Sequence, residues 1–395
     1  MFRKLTPEEE LLLCCARTRL EPQTAARVSE LLEGGVDWNR LIVLARRHFV
    51  TQLLYWHLSE RVKKVAPMVF TQELERNFRA NVDRNFYLAS ELLRLLPLFE
   101  TDGIPVIAFK GPVFAVNVYK NIALRTYGDL DILIRKQDIA RATKLLSSAG
   151  YIPRHSGSHV KDAIDRRQDT EYPFVSMAQK WLAIDLHWDL AGKRAACKHD
   201  IADLFSDARL MPLFGRTIHT LSPEDLLLYS CIHAVKHPRM HLRWICDIAE
   251  IIRAFPLINW EHLEEKAHHS HCSRMFYAGL LLAADLLDAP VPKGALHKIK
   301  SDRSVQKVVT RVKWQLFEET EALPQHIWIL QNIGMKERFR DKLKIFLFVG
   351  LVPSPDDYDA LPLPAQITGL YFAIRPLRLA LKLALASPQL LKYRL

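Results

Sequence analysis

The segment Asp129-Leu130-Asp131-Ile132-Leu133-Ile134 constrains this chain more than any other stretch of it. It reads as a β-strand. Strand side chains alternate between faces, so Asp129 and Asp131 project together while Leu130, Ile132 and Ile134 project to the opposite, core-facing side. Two carboxylates side by side against an apolar sheet raise each other's pKa unless a cation neutralises them, and a divalent metal ion is the natural cation. A second carboxylate-bearing strand is Leu182-Ala183-Ile184-Asp185-Leu186-His187-Trp188, in which Asp185 shares a face with Ala183 and His187. Pairing the two strands with those faces aligned brings Asp129, Asp131 and Asp185 together. Three carboxylates, with water and phosphate oxygens completing an octahedral shell, suit Mg²⁺ or Mn²⁺ rather than zinc. Such a site serves phosphoryl or nucleotidyl transfer.

Upstream, Ile104 to Phe109 is a short apolar run of strand length that ends at Lys110-Gly111-Pro112 and opens a helical stretch, Val113 to Tyr119. Gly111 lets a phosphate approach the backbone, the helix start offers N–H groups, and Lys110 adds a charge. Arg125, just before the Asp pair, is placed to brace a triphosphate by a fork of hydrogen bonds. A helix follows from about Asp138 to Ala149 and stops at Gly150.

Helical patterns flank this unit. Thr6-Pro7-Glu8-Glu9 is a capping box, Asp37 through Leu58 has helix-face spacing, and a further helix runs from about Thr71 to Glu100. Ser222-Pro223-Glu224-Asp225 opens a second helical region. The expected fold is α+β: a small mixed-sheet core at 96–220 between helical modules at 1–95 and 221–347. Residues 348–395 add a loop rich in Pro and Asp (Pro353 to Pro364) and a basic, leucine-rich helix from about Ala365 to Leu391.

The order of these features resembles the polymerase β-like nucleotidyltransferase superfamily. More closely, the chain resembles an uncharacterised bacterial nucleotidyltransferase family, on Gly103 to Pro112, Arg125 to Ile134, Gly150-Tyr151, Ile184 to Trp188 and Leu221 to Ile251. That resemblance implies Asp129, Asp131 and Asp185 as metal-binding carboxylates and Gly111 as the glycine of the phosphate-contacting turn. The wider superfamily has Gly-Ser at this turn. Here Pro112 follows Gly111, which removes a hydroxyl and a backbone N–H, and Lys110 is the substitute.

Composition narrows the remaining choices. Hydrophobic residues make up 49% and charged residues 25%, which excludes disordered and collagenous classes. Lys+Arg exceed Asp+Glu by 11, favouring anionic partners: nucleotides, nucleic acids, phospholipids or polyphosphates. Six cysteines without a CxxC pair read as buried thiols in a reducing compartment. The N-terminus does not read as a secretion signal, and the longest apolar runs fall short of the ~20 residues that span a bilayer. The expected location is the cytoplasm.

His233 and His237 fall on one helix face with His241 nearby, which admits a zinc reading. The alternative is a basic wall over the cleft, or a solvent-facing surface, formed with Lys236, Arg239 and Arg243. His268-His269-x-His271-Cys272 reads as a polar helix end, and Asp247 as the structural partner of an arginine. The C-terminal helix, with Arg375, Arg378 and Lys382 among leucines, either packs on the helical module or makes weak contact with an anionic membrane. The expected function is Mg²⁺-dependent transfer of an NMP from an NTP to an acceptor such as a small metabolite, a sugar, a peptide or protein side chain, or an RNA end. The alternative is an inactive scaffold that binds nucleic acid or a partner protein.

Overall fold

Local signals set the first helices. In α1 (Pro7–Cys15) the Thr6 hydroxyl accepts from the Glu9 amide while the Glu9 carboxylate accepts from the Thr6 amide, closing the capping box. Next come α2 (Pro22–Glu33), α3 (Trp38–Arg47) and α4 (Thr51–Leu58). The stretch from Asp37 to Leu58, expected as one helix, is broken at Phe49, whose φ of 57° is left-handed. The break lets Leu41 and Leu44 on α3 and Leu53 and Leu54 on α4 enter the same core. The long α5 (Met68–Thr101) buries Leu88, Leu92, Leu95 and Phe99 along one stripe. The computed structural model describes residues 4–390 apart from 63–64, 155–169, 191–196, 198–199, 238, 319–331, 354–356, 358–359, 362 and 364.

The sheet comprises β1 (Val106–Ala108), β2 (Asp129–Ile134), β3 (Tyr151–Pro153), β4 (Glu171–Ser176) and β5 (Ala183–His187), in the spatial order β1-β2-β5-β4-β3. Strands β2 and β5 run parallel and every other pair is antiparallel, so the sheet is mixed. The sequence points to β1, β2 and β5. Each of β3 and β4 contains a proline, which cannot donate to a ladder and masks the strand pattern. After β1 comes α6 (Gly111–Asn117), and after β2 comes α7 (Ile139–Ser148). One sheet face, with Leu130, Ile132, Ile134, Ile184 and Leu186, packs on α5 and α7. The other carries Asp131, Asp185 and His187 beside Leu133, and Leu133 belongs to the core shared with the C-terminal helices.

Beyond α8 (Ile201–Ser206) and the hairpin β6 (Arg209–Leu213) and β7 (Arg216–Thr220), the chain is helical: α9 (Pro223–Lys236), α10 (Leu242–Ala254), α11 (Trp260–His269), α12 (Ser273–Leu287), α13 (Lys293–Ser301) and α14 (Arg303–Gln315). The N-terminal and C-terminal helices, separated in sequence by the sheet, share one apolar core in which Leu11, Leu12 and Leu54 meet Ile245, Ile248 and Phe276. Polar ties cross the same junction: Thr18 donates to Glu250, and Arg17 pairs with Asp288.

The last helices are α15 (Phe339–Leu351) and α16 (Tyr371–Leu390). Buried Asp357 holds both Arg375 and Arg378 of α16. Phe339, Leu343, Phe346 and Leu347 on α15 and Leu377 and Leu381 on α16 stay exposed. Most of the Pro/Asp-rich loop, the side chains of 382–390, and residue Leu391 lie outside the described residues. Among the described residues no helix is long and apolar enough to cross a membrane. The six cysteines are free, five of them buried.

Candidate functional site

The register of β2 against β5 builds the site. Asp131 pairs with Asp185, Asp129 with Ala183, and Leu133 with His187. In a parallel ladder, residues in register share a face, so the two carboxylates that the sequence places on separate strands become direct neighbours. Ligand atoms of Asp131, Asp185 and His187 lie within 4.8 Å of one another, and this is the one such potential metal-holding group among the described residues. Asp129 sits one step away on the same face and opens into an adjoining cavity.

Asp131 is the centre of the cluster and is 2% exposed. Its Oδ1 accepts from Lys110 Nζ at 2.6 Å and lies 2.9 Å from His187 Nε2, whose other ring nitrogen is 3.3 Å from Glu171 Oε2. Burial works against ionisation of Asp131, but the Lys110 ammonium and the His187 hydrogen bond outweigh it and hold the carboxyl below the usual range. Asp185 has no such cation. Burial, with the Asp131 charge beside it, pushes its pKa up to about 7. Two carboxylates in one site with pKa values driven apart is the pattern of a dyad that shares a proton or a metal.

One oxygen is left over. Asp131 Oδ2 is buried without a hydrogen-bond partner, a costly state for a carboxylate. A cation at that oxygen, reached also by Asp185, would satisfy it. The donor set of two carboxylates and an imidazole fits a small divalent ion: Mn²⁺ with the imidazole as a ligand, or Mg²⁺ on oxygens alone with His187 orienting Asp131.

The turn after β1 is fixed by sterics. Gly111 has φ of 54°, and a Cβ there would lie 3.2 Å from the Asp129 carbonyl oxygen and 3.6 Å from the Tyr127 ring. Glycine therefore sets the distance between the turn and the start of β2. Lys110, just before it, also lies over the rings of Tyr229 and Phe109, 5.2 and 5.5 Å from their centroids. The loop into β2 is pinned to α5 by Asn85, whose amide donates to the Ile122 and Arg125 carbonyls at 2.6 and 2.9 Å.

Arg125 is buried, and its Nε and Nη2 both donate to Asp247, at 2.9 and 3.0 Å, while Tyr119 Oη donates to Asp247 Oδ1 at 2.7 Å. The fork expected at a triphosphate is thus engaged by a carboxylate of α10. Asp247 has the structural role the sequence suggests.

A cavity of about 220 Å³ adjoins the acidic face, between the Lys110–Gly111 turn and helices α9 and α10. Its lining includes Lys110, Asp129, Tyr229, His237 and Arg243. The spacing of Tyr229 and His233 puts them on one side of α9, with ring centroids 5.5 Å apart. His237 ends that helix in an extended conformation, as a residue before proline does, and stacks on Trp244 at 4.8 Å. Burial, followed by neighbouring lysine charges, pushes His233 well down and His237 down to about 3, so both rings are neutral at neutral pH. His241 is occupied elsewhere, its Nδ1 lying 3.1 Å from the Arg47 carbonyl. His233 and His237 form an aromatic wall of the cavity, and among the described residues no third ligand joins them for zinc. In the other tract His269, exposed at the end of α11, and His271, half-buried just beyond it, lie on backbone carbonyls.

Residues 34–288 match the model of a family of uncharacterised nucleotidyltransferases, more than half of the chain. The chain belongs to that family. Comparison with curated proteins and with solved structures returned no match. The matched span contains the whole sheet, the acidic cluster and both helices of the cavity wall, and the cluster is compatible with metal-dependent transfer. In this member of the family the sequence signal underrates His187 and Arg243. His187 was visible as the residue two beyond Asp185 on the same strand face. The position of Arg243 against the α/β core depends on the fold.

Proposed function

We propose that the chain is a divalent-metal-dependent nucleotidyltransferase that moves an NMP from an NTP to an acceptor hydroxyl or phosphate and releases pyrophosphate. The observation that carries this reading is the in-register pair Asp131–Asp185, with a buried Asp131 oxygen that lacks a partner. Asp131 and Asp185 would hold the ion, Mg²⁺ or Mn²⁺, with Asp129 or His187 completing the protein's ligands. When bound, the ion polarises the phosphate oxygens and lowers the pKa of the attacking oxygen. Asp185, beside the ion, is placed to receive the acceptor's proton. The acceptor oxygen forms its bond to the α-phosphorus, the bond to the β-phosphate bridging oxygen breaks, and pyrophosphate carries off that electron pair. Lys110 and the Gly111 turn flank the donor's phosphates, and Arg125 holds the cavity wall through Asp247.

The test is a product assay. Each α-labelled NTP is incubated with Mn²⁺ or Mg²⁺ and with sugar, peptide and RNA acceptor pools, and label transfer and pyrophosphate are both measured. Transfer by wild type and its loss in Asp131→Asn is the expected result. A folded wild type that binds no NTP and forms no product refutes the reading and leaves the inactive scaffold.

We also propose a cytoplasmic location with weak peripheral contact at the C-terminal helix α16, whose Arg375 and Arg378 are held by Asp357. The exposed Leu377 and Leu381 of α16, with the exposed row Phe339, Leu343, Phe346 and Leu347 of α15 and the exposed Arg338, Arg340 and Lys344, support contact with an anionic bilayer. Flotation with vesicles containing phosphatidylglycerol, absent with neutral vesicles and lost in Phe346→Glu, is the expected result, and equal recovery with both vesicle types refutes it.

A further inference from the structure

We propose that Arg243, with His237, forms the oxyanion subsite that takes the donor's phosphate chain. The inference rests on the nucleotidyltransferase reading and assigns to Arg243 the role the sequence gives to Arg125. Arg125 is committed to Asp247 through both Nε and Nη2, so its charge is already neutralised and its plane already fixed by a carboxylate. Arg243 is differently placed. Its Nη1 donates to the Thr126 carbonyl at 2.6 Å, its Nε is buried with no acceptor, and among the described residues it makes no ion pair. The Asp247 and Asp129 carboxylates act on it through space without a hydrogen bond, and Asp247 is already held by Arg125 and Tyr119; a largely buried guanidinium so weakly compensated is costly, and an anion bound at its free Nε removes that cost.

The surroundings choose the anion. The cavity that Arg243 lines, about 220 Å³, is smaller than the roughly 300–1,000 Å³ of sites that enclose a whole drug-sized ligand. It suits a phosphate chain better than a complete nucleotide. His237 lines the same cavity with a buried Nε2 that also has no partner, so it offers a second unspent polar group from the adjacent helix. Lys110 forms the opposite wall. The tie to the Thr126 carbonyl, three residues before Asp129, sets Arg243 beside the acidic cluster, where a chain of phosphates would run from the reacting phosphorus into the cavity. Arg243 also lies over the Phe49 ring, 5.0 Å from its centroid, which holds the guanidinium plane from the N-terminal side.

Calorimetric titration with inorganic tripolyphosphate and, separately, ribose 5-phosphate tests this in wild type, Arg243→Gln and Arg243→Lys, in EDTA and with Mg²⁺. Wild type is expected to prefer tripolyphosphate. Loss of a charged hydrogen-bond donor should weaken that binding roughly ten- to hundredfold in Arg243→Gln. If Arg243→Gln fails to fold, Arg243→Lys decides, with severalfold weakening expected because a single ammonium cannot reproduce the fork. Unchanged tripolyphosphate affinity in the folded variant overturns the assignment while leaving the nucleotidyltransferase reading intact if Mg²⁺-dependent NTP binding persists. Tighter binding of ribose 5-phosphate overturns it in favour of an acceptor monoester. Wild type that binds neither tripolyphosphate nor any NTP with Mg²⁺ removes the functional reading and this inference together.

Discussion

Asp185→Asn should make the metal-free protein more stable and the metal-loaded protein less so. The fold raises the Asp185 pKa from an ordinary 3.8 to about 7, through burial and the neighbouring Asp131 charge. A raised carboxyl pKa means that the folded state favours the protonated form. That stabilising contribution is complete below about pH 4 and drains away as pH rises through about 7. At about 1.4 kcal/mol per tenfold, the full displacement is worth roughly 4 kcal/mol, and screening at this half-buried carboxylate reduces it to about 2–3 kcal/mol. Asparagine keeps the shape without the charge, so the variant's advantage should be small near pH 5 and reach about 2 kcal/mol by pH 8. Urea unfolding in EDTA at pH 5, 6.5 and 8 measures it, with the difference between variant and wild type cancelling other titrations. Adding Mn²⁺ at 100 times its dissociation constant should then stabilise wild type by about 2.7 kcal/mol and the variant far less. A variant that is destabilised at every pH, or whose advantage does not grow with pH, would refute the like-charge argument. Equal metal stabilisation of both proteins would remove Asp185 from the ligand set.

Other perturbations separate the remaining contacts. Asp247→Ala leaves Arg125 buried and unpaired and should cost about 3–5 kcal/mol by denaturant titration; a loss below 1 kcal/mol would show the pair to be dispensable. Gly111→Ala forces a side chain to φ of 54° and against the Asp129 carbonyl, for a cost of about 1–2 kcal/mol and a drop in nucleotide binding, whereas unaltered stability and affinity would show that the turn tolerates a Cβ. Lys110→Met removes the ammonium that competes for Asp131, so Mn²⁺ should bind more tightly, by about tenfold, while NTP binding falls. Weaker Mn²⁺ binding by calorimetry would contradict that competition.

Much of the site was legible because its signals are local. Alternation alone places Asp129 and Asp131 on one face of β2, and the step from Asp185 to His187 is again two residues along one strand. The caps at Thr6 and Ser222 depend on neighbours three residues away and formed as the sequence indicates. The break at Phe49 was hidden, because the apolar spacing runs straight through it and only core packing decides the bend. Strands β3 and β4 were hidden by their prolines.

The sequence by itself determined the α+β class, the strand–turn–helix order around Lys110-Gly111 and the three aspartates, since periodicity and turn chemistry act within a few residues. Tertiary structure decided everything that depends on which strands and helices meet. It set Asp185 opposite Asp131 rather than Asp129 and gave Asp131 two cationic or polar partners on one oxygen and none on the other. It also spent Arg125 on Asp247, 122 residues away, and left Arg243 facing the cavity. Charges select partners by distance in space, and a chain that joins both ends of its sequence into one core fixes those distances only when it folds.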